Sequence, residues 1–384
     1  MRVALLTTDS REHCRDYHLT RPGFGTAPEA LISGFARMKG VELHVVSCAQ
    51  RRMESPEKLA DNIYFHSLHV GSFGWLKTGY QGCVRAVRRL LSRIRPDIVH
   101  GQGTERDCGV SAAWSGFPNV ITIHGNMGEL ARLFRARIGG YHWLAARLEN
   151  LTLKRTDGVF CNSNYTEGLV RTRTQKTWVV PNALRDAFFS TPRSPRSKEL
   201  RLLNIGVLSE RKRQLELLKL ATELNARGFS CQWRFVGPLP NEDYASEFMR
   251  AIAEPGTAST AVHLGTLDTE EIIREIDEAA ALVHFPSEEA FGLVAAEALA
   301  RGARVFASRV GGVIDIAAGV PGVELFDAGD WRGLGEGIER WVADGGGTGT
   351  DGARGMRERY HPEVVAARHV EIYRELTAVR GSLP

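Results

Sequence analysis

The stretch SEEAFGLVAAEALARG, Ser287 to Gly302, puts two acids where acids are uncommon. Phe291 to Ala300 reads as a helix in which nearly every position is apolar or small, so it lacks a polar face and should be buried. Glu297 lies in its middle, and a buried carboxylate needs a partner. Glu289 stands just ahead of the helix and Gly292 in its first turn. Free amides at a helix start bind phosphate, and the positive end of the helix dipole adds to this. Gly292 lets such a group approach the backbone closely, and Leu293 supplies a further amide. A plainer reading stays open: Glu297 pairs with Arg301 one turn on, and Glu289 is a solvated acid at a helix start.

Other chemistry-bearing residues also follow short apolar runs. Arg211 and Lys212 come after Gly206, as cations for a developing anion or as a solvated basic turn. His124 ends an apolar run before GNMG, as a ligand contact or as a packed strand end. Gly23 and Gly25, in RPGFG, allow close backbone approach.

Something must position these residues. Apolar runs at 2–7, 42–47, 97–100, 120–124, 158–161 and 178–180 alternate with helical patterns, and a second series lies at 200–206, 232–236, 261–264, 281–285 and 304–307. Strand–helix alternation implies parallel sheets with right-handed crossovers. The expected fold is α/β, with two doubly wound Rossmann-like domains. The polar, Pro-rich segment Ser190–Glu199 is expected to link them, and the Gly-rich stretch Asp344–Gly355 to form a mobile loop. Ligands bind beyond the carboxyl ends of such strands. RPGFG, HGQGTER, HGNMG, GVLSERK and PSEEAFG all follow strands, so they are expected to line one cleft and serve two substrates. The first strand lacks a following G-x-G-x-x-G, which disfavours a dinucleotide dehydrogenase. No Asp-x-Asp pair is present for a metal-held nucleotide.

Composition agrees with a globular chain: 384 residues, 43% hydrophobic and 24% charged. The six cysteines form no C-x-x-C pair or zinc spacing, so a reduced cytoplasmic protein without metal is expected. The N-terminus MRVALLTTDS reads as a first strand, and no apolar stretch is long enough to span a bilayer. The net charge of +4 hides an asymmetry. Residues 1–185 carry 26 Lys and Arg against 15 Asp and Glu, whereas the remainder is net acidic. A basic first half suits an anionic partner.

The segment HFPSEEAFGLVAAEALARGARVFASRVGGVID resembles the signature of retaining glycosyltransferases of family four, which have the two-domain GT-B fold. Glu289 and Glu297 match the family's Glu, seven residues, Glu. VVPNALRDAFF, NIGVLSERKRQLELLKL, ITIHGN and the closing RHVEIYREL are similar to further family stretches, in family order. The resemblance implies an N-terminal domain of residues 1–185, to which a helix in 362–384 returns, and a nucleotide-sugar domain of 186–361. It implies that Glu297 bonds the ribose hydroxyls and Glu289 the donor sugar, with Phe291, Gly292 and Leu293 at the diphosphate. Lys212, six residues after Gly206, matches the family's diphosphate lysine. Val207 stands where the family often has arginine, which leaves Arg211 or Arg213 as the second cation. His124 matches the histidine near the reacting carbon. Gly23 and Gly25 are split by Phe24, where the family has adjacent glycines. GGVID, with Asp315 for the family's Glu, shapes the neighbouring loop. Asn182 packs at the domain boundary, and Gly265 to Leu267 meet the base.

The implied activity is metal-independent transfer of a hexose, with retention, from a UDP- or GDP-sugar to an acceptor hydroxyl in cell-surface glycan synthesis. The acceptor is a glycan, a lipid-linked sugar or a small molecule; nucleic acid is not expected. A nucleotide-sugar epimerase and a non-catalytic sugar-nucleotide binder remain as alternatives. Residues 84–96, VRAVRRLLSRIRP, have Val84, Val87, Leu91 and Ile94 at helical spacing and Arg85, Arg88, Arg89, Arg93 and Arg95 between them. This is an ordinary surface helix or a face for anionic membrane, which would place the chain peripherally on the inner side.

Overall fold

The computed structural model describes residues 1–240, 243–347 and 352–381. In chain order the first elements are β1 (Arg2–Leu6), α1 (Ser10–Cys14), α2 (Thr26–Ala36), β2 (Glu42–Ala49), β3 (Lys58–Ala60), β4 (Ile63–His69), α3 (Gln81–Ile94), β5 (Ile98–Gln102), α4 (Asp107–Ala113), β6 (Asn119–Ile123), α5 (Met127–Leu133), α6 (Tyr141–Arg155), β7 (Val159–Cys161), α7 (Asn164–Val170) and β8 (Thr177–Val179). There follow α8 (Ala187–Ser190), β9 (Arg201–Ile205), α9 (Gln214–Ala226), β10 (Gln232–Val236), α10 (Asp243–Ile252), α11 (Pro255–Ala258), β11 (Ala261–His263), α12 (Thr269–Glu278), β12 (Ala281–His284), α13 (Leu293–Ala300), β13 (Arg304–Ser308), α14 (Val313–Ala317), β14 (Val323–Phe326), α15 (Trp331–Ala343), α16 (Gly352–Tyr360) and α17 (Pro362–Gly381). The chain divides into two units, Met1–Arg185 with Tyr360–Pro384, and Asp186–Arg359.

The first unit has an eight-stranded sheet in the order β3-β4-β2-β1-β5-β6-β7-β8, parallel except for the edge strand β3. Alternate residues of β1 point to opposite faces, so both faces carry core. Val3 and Leu5 pack with Phe35 of α2 and with Val370 and Tyr373 of α17, whereas Ala4 and Leu6 pack with Val84, Val87 and Leu91 of α3 and with Ala112 of α4. Each fully buried large apolar side chain stabilises the fold by roughly 1.5–3 kcal/mol. The α2–α17 contact depends on Gly34, because a Cβ there would lie 2.2 Å from the Pro362 carbonyl oxygen. On α3 the apolar stripe is buried and Arg85, Arg88, Arg89 and Arg93 are exposed. That is how a surface helix packs, with no large apolar side chain turned outward.

The second unit has an all-parallel six-stranded sheet, β11-β10-β9-β12-β13-β14. One face buries Trp233, Phe235, Phe285 and Phe306 against Leu217 of α9, Phe248 of α10 and Leu334 of α15. The Ser190–Glu199 segment, expected as a linker, belongs to this unit. Arg301 donates to the Thr191 and Pro192 carbonyls at 2.7 and 3.2 Å, and Asp277 accepts the Ser194 amide at 2.8 Å. Of the expected loop Asp344–Gly355, residues 348–351 lie outside the described residues, and Gly352 already begins α16.

Three strands escape the sequence pattern. β3 and β14 are three and four residues long. The β4 stretch IYFHSLH buries Ile63 and Phe65 but interleaves them with half-buried polar residues, so it shows no continuous apolar run.

Candidate active site

In the second unit, two loops at the carboxyl ends of adjacent strands meet. The loop after β9 runs from Gly206 to Arg213, and the loop after β12 from Phe285 to Gly292. Ser287 donates its amide to the Arg211 carbonyl at 2.8 Å, and Arg211 returns a guanidinium bond to the Glu288 carbonyl at 3.1 Å. The ordering aligns Lys212 with Glu289, and its ammonium donates to Glu289 Oε2. His284, at the end of β12, donates from Nε2 to the same oxygen at 3.2 Å. Burial disfavours the charge on Glu289, but Lys212 and the His284 bond outweigh it and hold the carboxyl well below its usual range. Burial, helped by Lys212, lowers the His284 pKa against the pull of Glu289, which favours the neutral imidazole. The lysine stem lies over Gly206, 3.6 Å from where a Cβ would sit.

The helix reads as expected except at its start. Gly292 takes a left-handed conformation, φ 100°, and caps α13, so the first helical residue is Leu293 rather than Phe291. A glycine cap has no side chain to accept the first amides, and with Ala295 and Ala296 donating to the Gly292 carbonyl, those of Leu293 and Val294 are the ones that can meet an anion. Gly312 packs against this turn: a Cβ there would lie 2.5 Å from the Ala290 carbonyl oxygen. Asp315 sits in the first turn of the following α14. Glu297 is 3% exposed. Arg301 does not pair with it. The guanidinium forks onto Asp277 at 2.9 and 2.6 Å, which removes the plainer reading of Glu297. Gly265, φ 74°, accepts the Gly237 amide at 2.8 Å, and Leu267 is half-buried in the same loop.

In the first unit, His124 directly follows β6 and is backed by a chain of polar groups. Its Nε2 donates to Gln102 Oε1 at 2.9 Å. The Gln102 amide reaches His100 Nε2 at 3.1 Å, and His100 Nδ1 meets the Tyr373 hydroxyl at 2.5 Å. Burial pushes the His124 pKa down to about 4, so this imidazole is neutral at physiological pH. Two carboxyls that sequence reading did not single out hold the same loop. Glu105 accepts the Gly125 amide at 3.0 Å. Glu149, fully buried in α6, accepts the Thr104 hydroxyl at 2.8 Å and the Met127 amide at 2.9 Å, and pairs with Arg173 at 3.2 Å. Burial raises the Glu105 pKa to about 7 against the pull of its amide bonds. HGQGTER, already notable as a polar cluster after a strand, contains Glu105; nothing in RLENL distinguishes Glu149 from a surface acid.

The loop bearing Gly23 and Gly25 is ordered by a buried Arg11–Asp9 pair, 2.7 Å. Arg11 also donates to the Leu19, Thr20 and Glu54 carbonyls. Gly23 accepts the Ser10 amide and Gly25 caps α2. Asn182 lines a small cavity in this unit with Gln102, His124 and His369.

Residues 23–187 match the model of Glycosyltransferase Family 4, and residues 188–359 that of Glycosyl transferases group 1. Among solved structures, the chain is similar to sucrose-phosphate synthase from Thermosynechococcus elongatus, with TM-score 0.76 and 18% identity over 99% of this chain and 100% of that one. It is similar to HepE of Anabaena in complex with UDP-glucose, TM-score 0.71, 18% identity, over 98% and 100%. The lipopolysaccharide outer core galactosyltransferase WaaB gives TM-score 0.68 and 16% identity over 98% and 100%. No curated protein matches the chain. With its two doubly wound sheets and two glycosyltransferase domains in tandem, the chain is a GT-B glycosyltransferase of the family 4 type.

Proposed function

We propose that the protein transfers a hexose from a nucleoside diphosphate sugar to an acceptor hydroxyl with retention of configuration and without a metal ion. The observation that carries this is the meeting of Lys212, from the loop after β9, and His284, at the end of β12, on Glu289, in the loop that leads to the glycine-capped start of α13. An ammonium has three N–H donors. One engages Glu289, and the others suit a diphosphate oxygen. With Arg211 and the first-turn amides of α13, Lys212 supplies the positive field that a departing nucleoside diphosphate requires. His284 orients Glu289 to accept from sugar hydroxyls, and Glu297 accepts from the ribose.

As the bond from the anomeric carbon to the diphosphate oxygen breaks, the acceptor oxygen bonds to that carbon from the same face. Its proton passes to the leaving diphosphate oxygen, so the nucleoside diphosphate departs and charge balances without an enzymic nucleophile. His124, neutral and fixed through Gln102, is assigned to the sugar as a hydrogen-bonding and packing contact. UDP is favoured as the nucleotide because the similar HepE structure holds UDP-glucose.

The test is turnover of UDP-glucose, UDP-galactose, UDP-N-acetylglucosamine and GDP-mannose, with and without excess EDTA. Cleavage of one donor that persists in EDTA, with its anomeric configuration kept in the product, supports the reading. Loss on chelation with rescue by magnesium or manganese overturns metal independence.

A further inference from the structure

The turn between α5 and α6 points apolar side chains outward. Leu133 ends α5 and Phe134 caps it, Ile138 follows, and Tyr141 opens α6. Phe134 is 62% exposed and Ile138 85%, with Leu133 and Tyr141 close to half exposed. Single exposed apolar residues are ordinary, but four large ones between positions 133 and 141 form a patch. The turn is ordered. Arg135 and Gly139 take left-handed conformations, and the Ala136 and Gly140 amides bond the Ala131 and Arg137 carbonyls at 2.8 and 2.9 Å.

The patch is also basic. Between Met127 and Leu148 the sequence has one acid, Glu129, against Arg132, Arg135, Arg137 and Arg147. Glu129 pairs with Arg132, and among the described residues the side chains of Arg135 and Arg137 make no ion pair. A protein-binding patch has an apolar centre and a polar rim. Here guanidinium groups alternate with the protruding apolar side chains. That pattern fits a partner that is apolar below and anionic at its surface, namely a bilayer with acidic lipids.

We propose that this turn docks the first unit on an anionic lipid surface. Phe134 and Ile138 enter the boundary between headgroups and acyl chains, and Arg135 and Arg137 meet the lipid phosphates. This differs from docking through α3, whose apolar stripe is buried and whose arginines offer only a screened attraction. The turn is tied to the loops of the candidate site. The α5 helix begins three residues after His124, and the Tyr141 hydroxyl donates to the Glu105 carbonyl at 2.8 Å. Delivery of a lipid-linked acceptor to these loops rests on the transferase reading; docking itself does not.

The test is flotation of the full chain with vesicles of phosphatidylcholine alone or mixed equally with phosphatidylglycerol. The chain should float with the mixed vesicles at low salt and not with phosphatidylcholine. Phe134→Ser with Ile138→Ser should lower partitioning at least about tenfold, and each of Arg135→Glu and Arg137→Glu about fivefold or more. The changed positions are exposed, so thermal midpoints should hold; the arginine variants stand if the apolar pair misfolds. Arg85→Glu, Arg88→Glu and Arg89→Glu together should leave most binding in place. The proposal is overturned by absence of flotation, by binding insensitive to the turn variants, or by a wild-type dimer that the Phe134/Ile138 change dissolves without any vesicle binding.

Discussion

Glu105 and Glu289 occupy equivalent places in the two units. Each lies in the loop after the strand that flanks the first strand of its unit, β5 beside β1 and β12 beside β9. Both carboxyls are pulled from water, yet their protonation diverges. Glu289 has an ammonium and an imidazole N–H on one oxygen, which hold it ionised. Glu105 accepts backbone amides, that of Gly125 among them, and has a second acid, Glu149, nearby, and its pKa rises to about 7. Burial alone penalises charge in both; the partner decides the outcome. The second unit thus keeps fixed charge in its loop. The first surrounds a neutral His124 with groups that give and accept hydrogen bonds without net charge.

The sharpest way to break this contrast is Lys212→Ala. If fixed charge in the second unit stabilises the leaving group, turnover should fall about 10²–10³-fold, as for the loss of a preorganised electrostatic group. A rate near wild type would mean the pair with Glu289 is only structural. Glu297→Gln comes next. Free nucleotide should bind more than about tenfold more weakly by calorimetry, whereas Glu289→Gln should spare nucleotide affinity and slow transfer. Equal loss in both variants would merge the roles of the two acids.

Glu105→Gln tests the first unit. A carboxyl raised in the folded state binds its proton there above the unfolded value of about 4.3, so its contribution is full below that pH. It is lost as pH rises through about 7. Wild-type stability should therefore decline over that window, and Glu105→Gln should flatten the decline, adding about 3–4 kcal/mol at pH 8 relative to wild type. Urea midpoints at pH 5 and 8 measure it, and parallel pH profiles would show that Glu105 is ionised like Glu289. The smallest effect belongs to α3. Arg85→Glu, Arg88→Glu and Arg89→Glu together should shift stability by no more than about 1 kcal/mol, because these side chains are exposed. A larger loss by urea melt would give that face a packing role.

Local pattern reveals most of this molecule. Buried parallel strands must be apolar along their length, so runs such as RVALL and ALVH announce themselves, and both sheets follow from alternation with helices. The half-polar β4 and the short β14 lack that signature, because their partners rather than their side chains hold them in place. In the candidate site, spacing marked the acids, cations and glycines around Glu289 as candidates, and the resemblance to the family signature implied their roles. His284 was not marked, because a histidine inside VHFPS reads as strand until its ring is seen on Glu289. Glu149 is hidden for the same reason. Its three partners, Thr104, Met127 and Arg173, are 45, 22 and 24 residues away.

Residue types and their order were sufficient to announce two doubly wound sheets, a helix start ready for an anion, and the transferase family. The sheets and the helix start are announced because strand periodicity, glycine freedom and helix-end amides are local properties, whereas the family came from the resemblance of stretches such as HFPSEEAFGLVAAEALARG to a known signature. Charge states and pairings came from the fold. Arg301 chose Asp277, 24 residues away, over Glu297 one turn back along its own helix, Lys212 came to rest on Glu289, and Glu105 rose toward neutral pH while Glu289 fell. Each of these turns on distances between chain-distant groups at low dielectric, where a few ångströms change the favoured protonation state.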